Sequence, residues 1–266
     1  MKSRPLFPWF AALALALLPF AAEAKVVTKT IAYEHDGKKL QGYLAYDDAR
    51  SGARPGVLVV HEWWGLNDYT KSRARQLAEL GYVAFAADMF GDGQVTRDPK
   101  QAQAWYDAAT KTPGLLASRS KAGLDVLKKQ SQVDPKRVGA IGFCFGGTTV
   151  LQLAYSGEEM KGGVVTFHGG LVVPDEATAA KIKTSIVVLN GAADQWIKAE
   201  DITNLGKALD KAKVDWYFVN YAGAVHAFSN PDADSFKIPN IGYNDKAARR
   251  SWDEMARFFH TQFAAK

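Results

Sequence analysis

The chain has 266 residues, 47% of them hydrophobic and 23% charged, with a net charge of +5 at pH 7. That length and apolar content suit one large domain with a buried core, and they exclude a chain that stays disordered. The basic residues are scattered, with Lys128-Lys129 and Arg249-Arg250 on helix faces and no basic stripe interleaved with aromatics, so nucleic acid is not an expected partner.

Residues 1–24 read as a secretory signal peptide. Lys2 and Arg4 form a positive n-region. Leu6 to Phe20 is an apolar h-region, and Ala22-Glu23-Ala24 is an A-x-A cleavage site. An uncleaved anchor is the weaker alternative, because the apolar run is short for a span and Pro8 and Pro19 interrupt it. No cysteine lies near the cleavage site, which excludes a lipoprotein. Cleavage after Ala24 leaves residues 25–266 as a single domain, secreted or periplasmic, with no further run long enough to cross a membrane. A monomer is expected.

The domain begins with two strands, Lys25 to Tyr33 and Leu40 to Tyr46, around the turn Asp36-Gly37. They read as an antiparallel hairpin at a sheet edge. Gly56 to Val60 is a continuous apolar run, which suits a strand covered on both faces. A helix follows from Tyr69 to Leu80, with Asn67 or Asp68 as N-cap and Gly81 after its last turn. Tyr82 to Ala87 is the next buried strand, and a helical stretch from Pro99 to Gln130 breaks at Pro113-Gly114. Arg137 to Phe143 is a strand that leads through Cys144 into a helix ending near Tyr155. Gly163 to Phe167 and Ser185 to Leu189 are strands, Ala199 to Ala212 a helix, and Asp215 to Asn220 the last strand. In the final helix Ala248, Trp252, Met255, Phe259 and Phe263 share one face. Strands alternating with helices imply a mostly parallel central sheet with helices on both faces, and ligands beyond the carboxyl ends of its strands.

The chemistry gathers at those ends. Cys144, the only cysteine, lies in Gly142-Phe143-Cys144-Phe145-Gly146-Gly147. This is a strand–nucleophile–helix elbow with cysteine where serine usually stands, and the glycines let strand and helix pass closely. A free cysteine is more often a small buried apolar residue. One thiol in an exported chain, however, has no disulfide partner and is open to oxidation, so its presence calls for a use. Asp194 follows the strand ending at Leu189, and His226 lies in the loop after the last strand. Singly, Asp194 reads as a turn residue and His226 as an ordinary loop histidine. Nucleophile, acid, histidine is nevertheless the chain order of an α/β-hydrolase triad. The imidazole takes the thiol proton, and the carboxylate fixes its tautomer.

Glu62, in His61-Glu62-Trp63-Trp64-Gly65, follows the strand Val57 to Val60 at another carboxyl end. In this fold that loop supplies one oxyanion-hole amide and the residue after the nucleophile supplies the other, which points to the backbone N–H groups of Trp63 and Phe145. Trp63, Trp64, Phe90, Phe143, Phe145 and Phe228 are candidates for an aromatic pocket, of which two or three are expected to touch a ligand. His168 ends a strand and is a further pocket candidate. His35 and His260 read as surface residues, and no metal-ligand spacing is found among the histidines and acids.

Glu62 in its H-E-W-W-G-L-N setting, Cys144 in G-F-C-F-G-G, Asp194, and His226 in H-A-F together resemble the dienelactone hydrolase family, from about Tyr33 to Phe263. The resemblance implies an α/β-hydrolase fold and hydrolysis of a small ester or lactone by a Cys-His-Asp triad through an acyl-thioester, with no cofactor. It also gives Glu62 a role: holding the resting thiol away from the histidine and helping to generate the thiolate when substrate arrives. Alternatives are thioester or peptide hydrolysis on the same triad, or a non-catalytic member that binds a ligand or partner. The best-known members hold a substrate carboxylate with two arginines. Here Ala87 to Gly93 and His226 to Pro231 contain none, the first being Arg97. Serine or asparagine cannot replace a bidentate arginine, so a dienelactone is not the expected substrate and a neutral or aromatic ester or lactone is.

Overall fold

The computed structural model describes residues 25–264, so the segment read as a signal peptide lies outside the described residues. Eight strands form one sheet: β1 (Val26–His35), β2 (Lys38–Asp47), β3 (Arg54–Val60), β4 (Val83–Ala87), β5 (Val133–Phe143), β6 (Gly163–Phe167), β7 (Ile186–Gly191) and β8 (Trp216–Tyr221). The helices are α1 (Asp68–Glu79), α2 (Pro99–Thr110), α3 (Leu115–Lys128), α4 (Phe145–Tyr155), α5 (Glu176–Ala179), α6 (Ala199–Lys211) and α7 (Asp245–Ala264). The short α5 and a 3-10 turn at Ala233–Phe236 are the elements the sequence did not announce.

Asp36 and Gly37 both adopt positive φ, the conformation a two-residue hairpin loop needs, and β1 pairs antiparallel with β2 along its whole length. β2 then runs antiparallel to β4, and every later pairing is parallel. Within β3 the side chains alternate between two cores. Leu58 and Val60 pack with Leu124 and Leu127 of α3 and Val150 of α4. Val57 and Val59 pack on the other face with Ala74 and Leu77 of α1 and Met255 and Phe259 of α7. Burial on both faces is the reason β3 and β4 read as unbroken apolar runs.

The strand order is β1-β2-β4-β3-β5-β6-β7-β8. From β3 the chain steps outward to β4, then returns across β3 to β5 and continues the opposite way. The crossovers on the two sides of β3 and β5 therefore diverge, and a crevice opens above the carboxyl ends of these two strands. His61-Glu62-Trp63 leaves β3 there, and Cys144 leaves β5 there.

Candidate active site

Cys144 stands between β5 and α4 at φ 52° and ψ −115°. A non-glycine residue is strained at such a φ, and the surrounding glycines hold it in place by admitting close backbone contact. A Cβ on Gly142 would fall on the carbonyl oxygen of Gly146, and one on Gly146 would fall on that of Val60. One on Gly147 would come within 2.8 Å of the Gly169 Cα. The Cys144 amide donates to the Phe167 carbonyl at 3.0 Å, which ties the elbow to β6. The thiol is partly exposed.

His226 and Asp194 are both buried and lie together. His226 Nδ1 is 2.8 Å from Asp194 Oδ2. The other carboxylate oxygen accepts from the Trp196 amide at 3.0 Å and from Asn240 Nδ2 at 3.1 Å. Burial opposes ionisation of Asp194, but the His226 bond and charge, with these two donors, outweigh it and hold the carboxyl below its ordinary range. The acid therefore accepts and Nδ1 donates to it, so that Nε2 is the nitrogen that takes up and gives back a proton. Nε2 is buried and has no hydrogen-bond partner. Burial disfavours a charged His226, yet the Cys144 sulfur and Asp194 together raise the imidazole well above its ordinary value. The loop is fixed by the His226 amide, which donates to the Asn240 carbonyl at 3.0 Å, and by the Gly242 amide, which donates to the His226 carbonyl at 3.1 Å.

Glu62 is fully buried, and its Oε2 accepts from Asn230 Nδ2 at 2.7 Å. Desolvation pushes its carboxyl up to about 7, only partly offset by the Asn230 bond and the nearby His226 and Arg73. The carboxyl is thus bonded to Asn230 rather than to the Cys144 thiol. His61, unassigned by the sequence, holds the same loop from beneath. Its Nε2 accepts the Met89 amide at 3.1 Å, so Nδ1 carries the proton and donates to the Glu62 carbonyl at 2.5 Å. The amides of Trp63 and Phe145 donate to no group of the described chain.

A cavity of about 380 Å³ brings Cys144, His226, Trp63 and Phe145 together. Tyr106 and Gln103 of α2, Thr148 and Gly170, and Trp196, Ile197 and Ile241 complete its lining. Of the seven pocket candidates Trp63 and Phe145 line it and five do not, Phe143 being fully buried with its ring stacked on Phe167 at 4.8 Å. Trp64 is buried with its ring stacked on Phe236 at 4.1 Å. Phe90 packs among His61, Trp105 and Phe145. His168 is wholly buried behind His226, their rings 5.3 Å apart, with Nε2 2.8 Å from the Ser229 hydroxyl. Burial and the adjacent His226 hold it well below its ordinary value, so it is neutral. Phe228 lies in the core against His168 and Tyr221. These side chains are buried behind the lining, packed on one another and on the core. The lining from α2 and from Trp196 to Ile197 was missed. Only Trp196, two residues past the acid, carried a signal in the sequence.

Among the described residues no cluster of three or more His, Cys, Asp or Glu is arranged to hold a metal ion, and no helix is long and apolar enough to cross a membrane. Arg97, the first arginine after β4, bonds Ser235 and covers the Phe236 ring away from the cavity.

A profile of the Dienelactone hydrolase family matches residues 40–263. A protein of Aquifex aeolicus assigned as a carboxymethylenebutenolidase is 30% identical over 235 residues, covering 87% of this chain and 97% of its own. The crystal structure of P91, a dienelactone hydrolase-like promiscuous phosphotriesterase from metagenomic libraries, is 38% identical with a TM-score of 0.86, covering 89% of this chain and 98% of its own. A Klebsiella pneumoniae structure of the dienelactone hydrolase type, at 22% identity and a TM-score of 0.69 over 89% of this chain and 99% of its own, shares the fold. With the family profile spanning nearly all of the described sheet, the chain belongs to the dienelactone hydrolase family of the α/β-hydrolase superfamily and is an ester or lactone hydrolase.

Proposed function

We propose that the protein is an exported, monomeric, cysteine-dependent hydrolase of neutral carboxylic esters or lactones. The observation that carries the reading is the buried His226–Asp194 pair, 2.8 Å apart, whose free Nε2 shares one cavity with the lone thiol. In acylation, Nε2 takes the thiol proton and Sγ bonds to the substrate carbonyl carbon. The carbonyl oxygen becomes an oxyanion held by the Trp63 and Phe145 amides, which have no competing acceptor. Collapse breaks the C–O bond, and the leaving oxygen takes the proton from Nε2. Water then gives a proton to Nε2 and attacks the thioester. The C–S bond breaks, the acid departs, and the proton returns to sulfur. Asp194 holds the imidazole in the tautomer that each step needs.

The neutral substrate follows from the lining. Apart from His226 it holds no basic side chain, so a free carboxylate would be desolvated without a partner. Glu62 guards the thiol between turnovers, stationed by Asn230. Alkylation of Cys144 with and without a substrate analogue tests this role, and identical rates in wild type and Glu62→Gln remove it.

The deciding experiment is a panel of p-nitrophenyl esters, lactones, thioesters and one phosphotriester, the last because the similar protein P91 is a promiscuous phosphotriesterase. Esters and lactones are expected to lead, with Cys144→Ala at background. Full turnover by Cys144→Ala would sink the cysteine mechanism. A folded protein that no thiol-directed activity probe labels would favour a binding role instead. Export is tested by the mass of the secreted product, expected to begin at Lys25, and the monomer by its sedimentation.

A further inference from the structure

The lining of the cavity falls into two groups, one carried with the acid and the histidine and the other with the two unpaired amides. Trp196 and Ile197 follow Asp194 by two and three residues, and Ile241 pairs with His226 in an isolated bridge. All three are therefore carried by the segments that hold the acid and the histidine. The other group is Trp63, Phe145 and Tyr106, the last set edge-on to Phe145 at 5.8 Å, with Gln103 in the same lining. That group carries the two unpaired amides.

Trp196 is conspicuous on energetic grounds. It is 51% exposed, yet its ring centroid lies 4.5 Å from that of His226 and its amide is anchored on Asp194 Oδ1 at 3.0 Å. The chain thus holds a large apolar surface in water at a fixed place beside the proton donor. No packing in the described chain accounts for the exposed half, and a bound apolar group would cover it.

We propose that Trp196, with Ile197 and Ile241, is the binding site for the leaving group, and that the preferred substrates are neutral esters of aromatic or bulky apolar alcohols. The assignment rests on the mechanism proposed above. The geometry follows from proton transfer: the oxygen that departs must take its proton from His226 Nε2, so the alcohol lies on the histidine side. The carbonyl oxygen points to the amides of Trp63 and Phe145, and the acyl group takes the remaining direction at the tetrahedral carbon, away from the departing alcohol. Trp196 therefore discriminates among alcohols and is indifferent to acids.

The test uses butyrate esters of methanol, phenol and 2-naphthol, and methyl esters of acids of increasing size, on wild type and Trp196→Ala. Each ester is read as the ratio of wild-type to variant kcat/KM, so its intrinsic reactivity cancels. Esters of one acid share one thioester and one deacylation rate, so kcat/KM isolates the step that sees the alcohol. The ratio is expected to rise about tenfold from methyl butyrate to the naphthyl ester, the scale of one aromatic contact, and to stay flat across the acid series. Trp196→Phe is expected to restore most of the naphthyl rate. A ratio equal for methyl and naphthyl esters, or one that grows with the acid, overturns the assignment.

A binding measurement stands independently of turnover. 2-Naphthol is expected to slow alkylation of the lone thiol in wild type and to lose that protection in Trp196→Ala; absence of protection in wild type also overturns it. Turnover by Cys144→Ala would strike the underlying mechanism, whereas a flat ratio with an inactive Cys144→Ala strikes the leaving-group site alone.

Discussion

Glu62 is a carboxyl held in the protein interior with a neutral amide as its hydrogen-bond partner. Such a group resists ionisation, since no cation is paired with it to repay the lost hydration. Its proton leaves near 4.5 in the unfolded chain and near 7 in the folded one. The destabilisation is therefore absent below the lower value, grows as pH rises between the two, and is complete above the upper. Glu62→Gln is expected to gain about 2–3 kcal/mol of stability relative to wild type between pH 5 and pH 8, read from denaturant midpoints at the two pH values. A difference that does not change with pH would show an ordinary carboxyl. Asp194 behaves in the opposite sense, its carboxyl depressed by His226, Trp196 and Asn240 despite burial. Asp194→Asn keeps the shape but offers Nδ1 a donor or a poorer acceptor, so kcat is expected to fall about 10³–10⁴-fold with little change in KM. At this scale Cys144, Asp194 and His226 were legible as candidates, because each lies at or within a few residues of the carboxyl end of a strand. Asn230 was not, because its partner Glu62 is 168 residues away in the chain.

The elbow between β5 and α4 depends on backbone contacts that no side chain can share. Gly146→Ala would drive a Cβ into the Val60 carbonyl, which belongs to the neighbouring central strand and cannot move independently. A loss of about 3 kcal/mol is expected, seen as a lowered thermal midpoint, together with loss of the elbow and of activity. Gly114 provides the contrast. It has φ 78° before α3, but nothing lies within 4 Å of a Cβ placed there, so Gly114→Ala carries only the backbone strain, about 1 kcal/mol. If the two variants proved equally stable, steric closeness at the elbow would not be its determinant. The break at Pro113-Gly114 was readable because both residues act locally. Strand β5 begins at Val133, earlier than Arg137, because it extends past a register irregularity opposite Arg54 that only the partner strand reveals.

At the scale of the whole molecule, β1 shields β2, which carries the core residues Leu40 and Leu44. A chain begun at Lys25 is expected to fold as a soluble protein. Deleting residues 25–37 as well would uncover the edge of β2 for pairing with other chains, and that protein is expected to aggregate, followed by light scattering. A soluble monomer of the shorter chain would refute the shielding role. The sequence by itself determined the order of strands and helices, the elbow and the order in which Cys144, Asp194 and His226 follow their strands, because apolar periodicity, glycine and strand-end position are local properties that a chain carries in its own spacing. Tertiary structure alone decided which aromatics face the ligand and which pack behind the wall, that Asn230 is the partner of Glu62, and that Trp196 stands over His226. Those facts depend on loops from distant strand ends meeting at the switch between β3 and β5, and the thickness of the wall between core and cavity is set by all of them together.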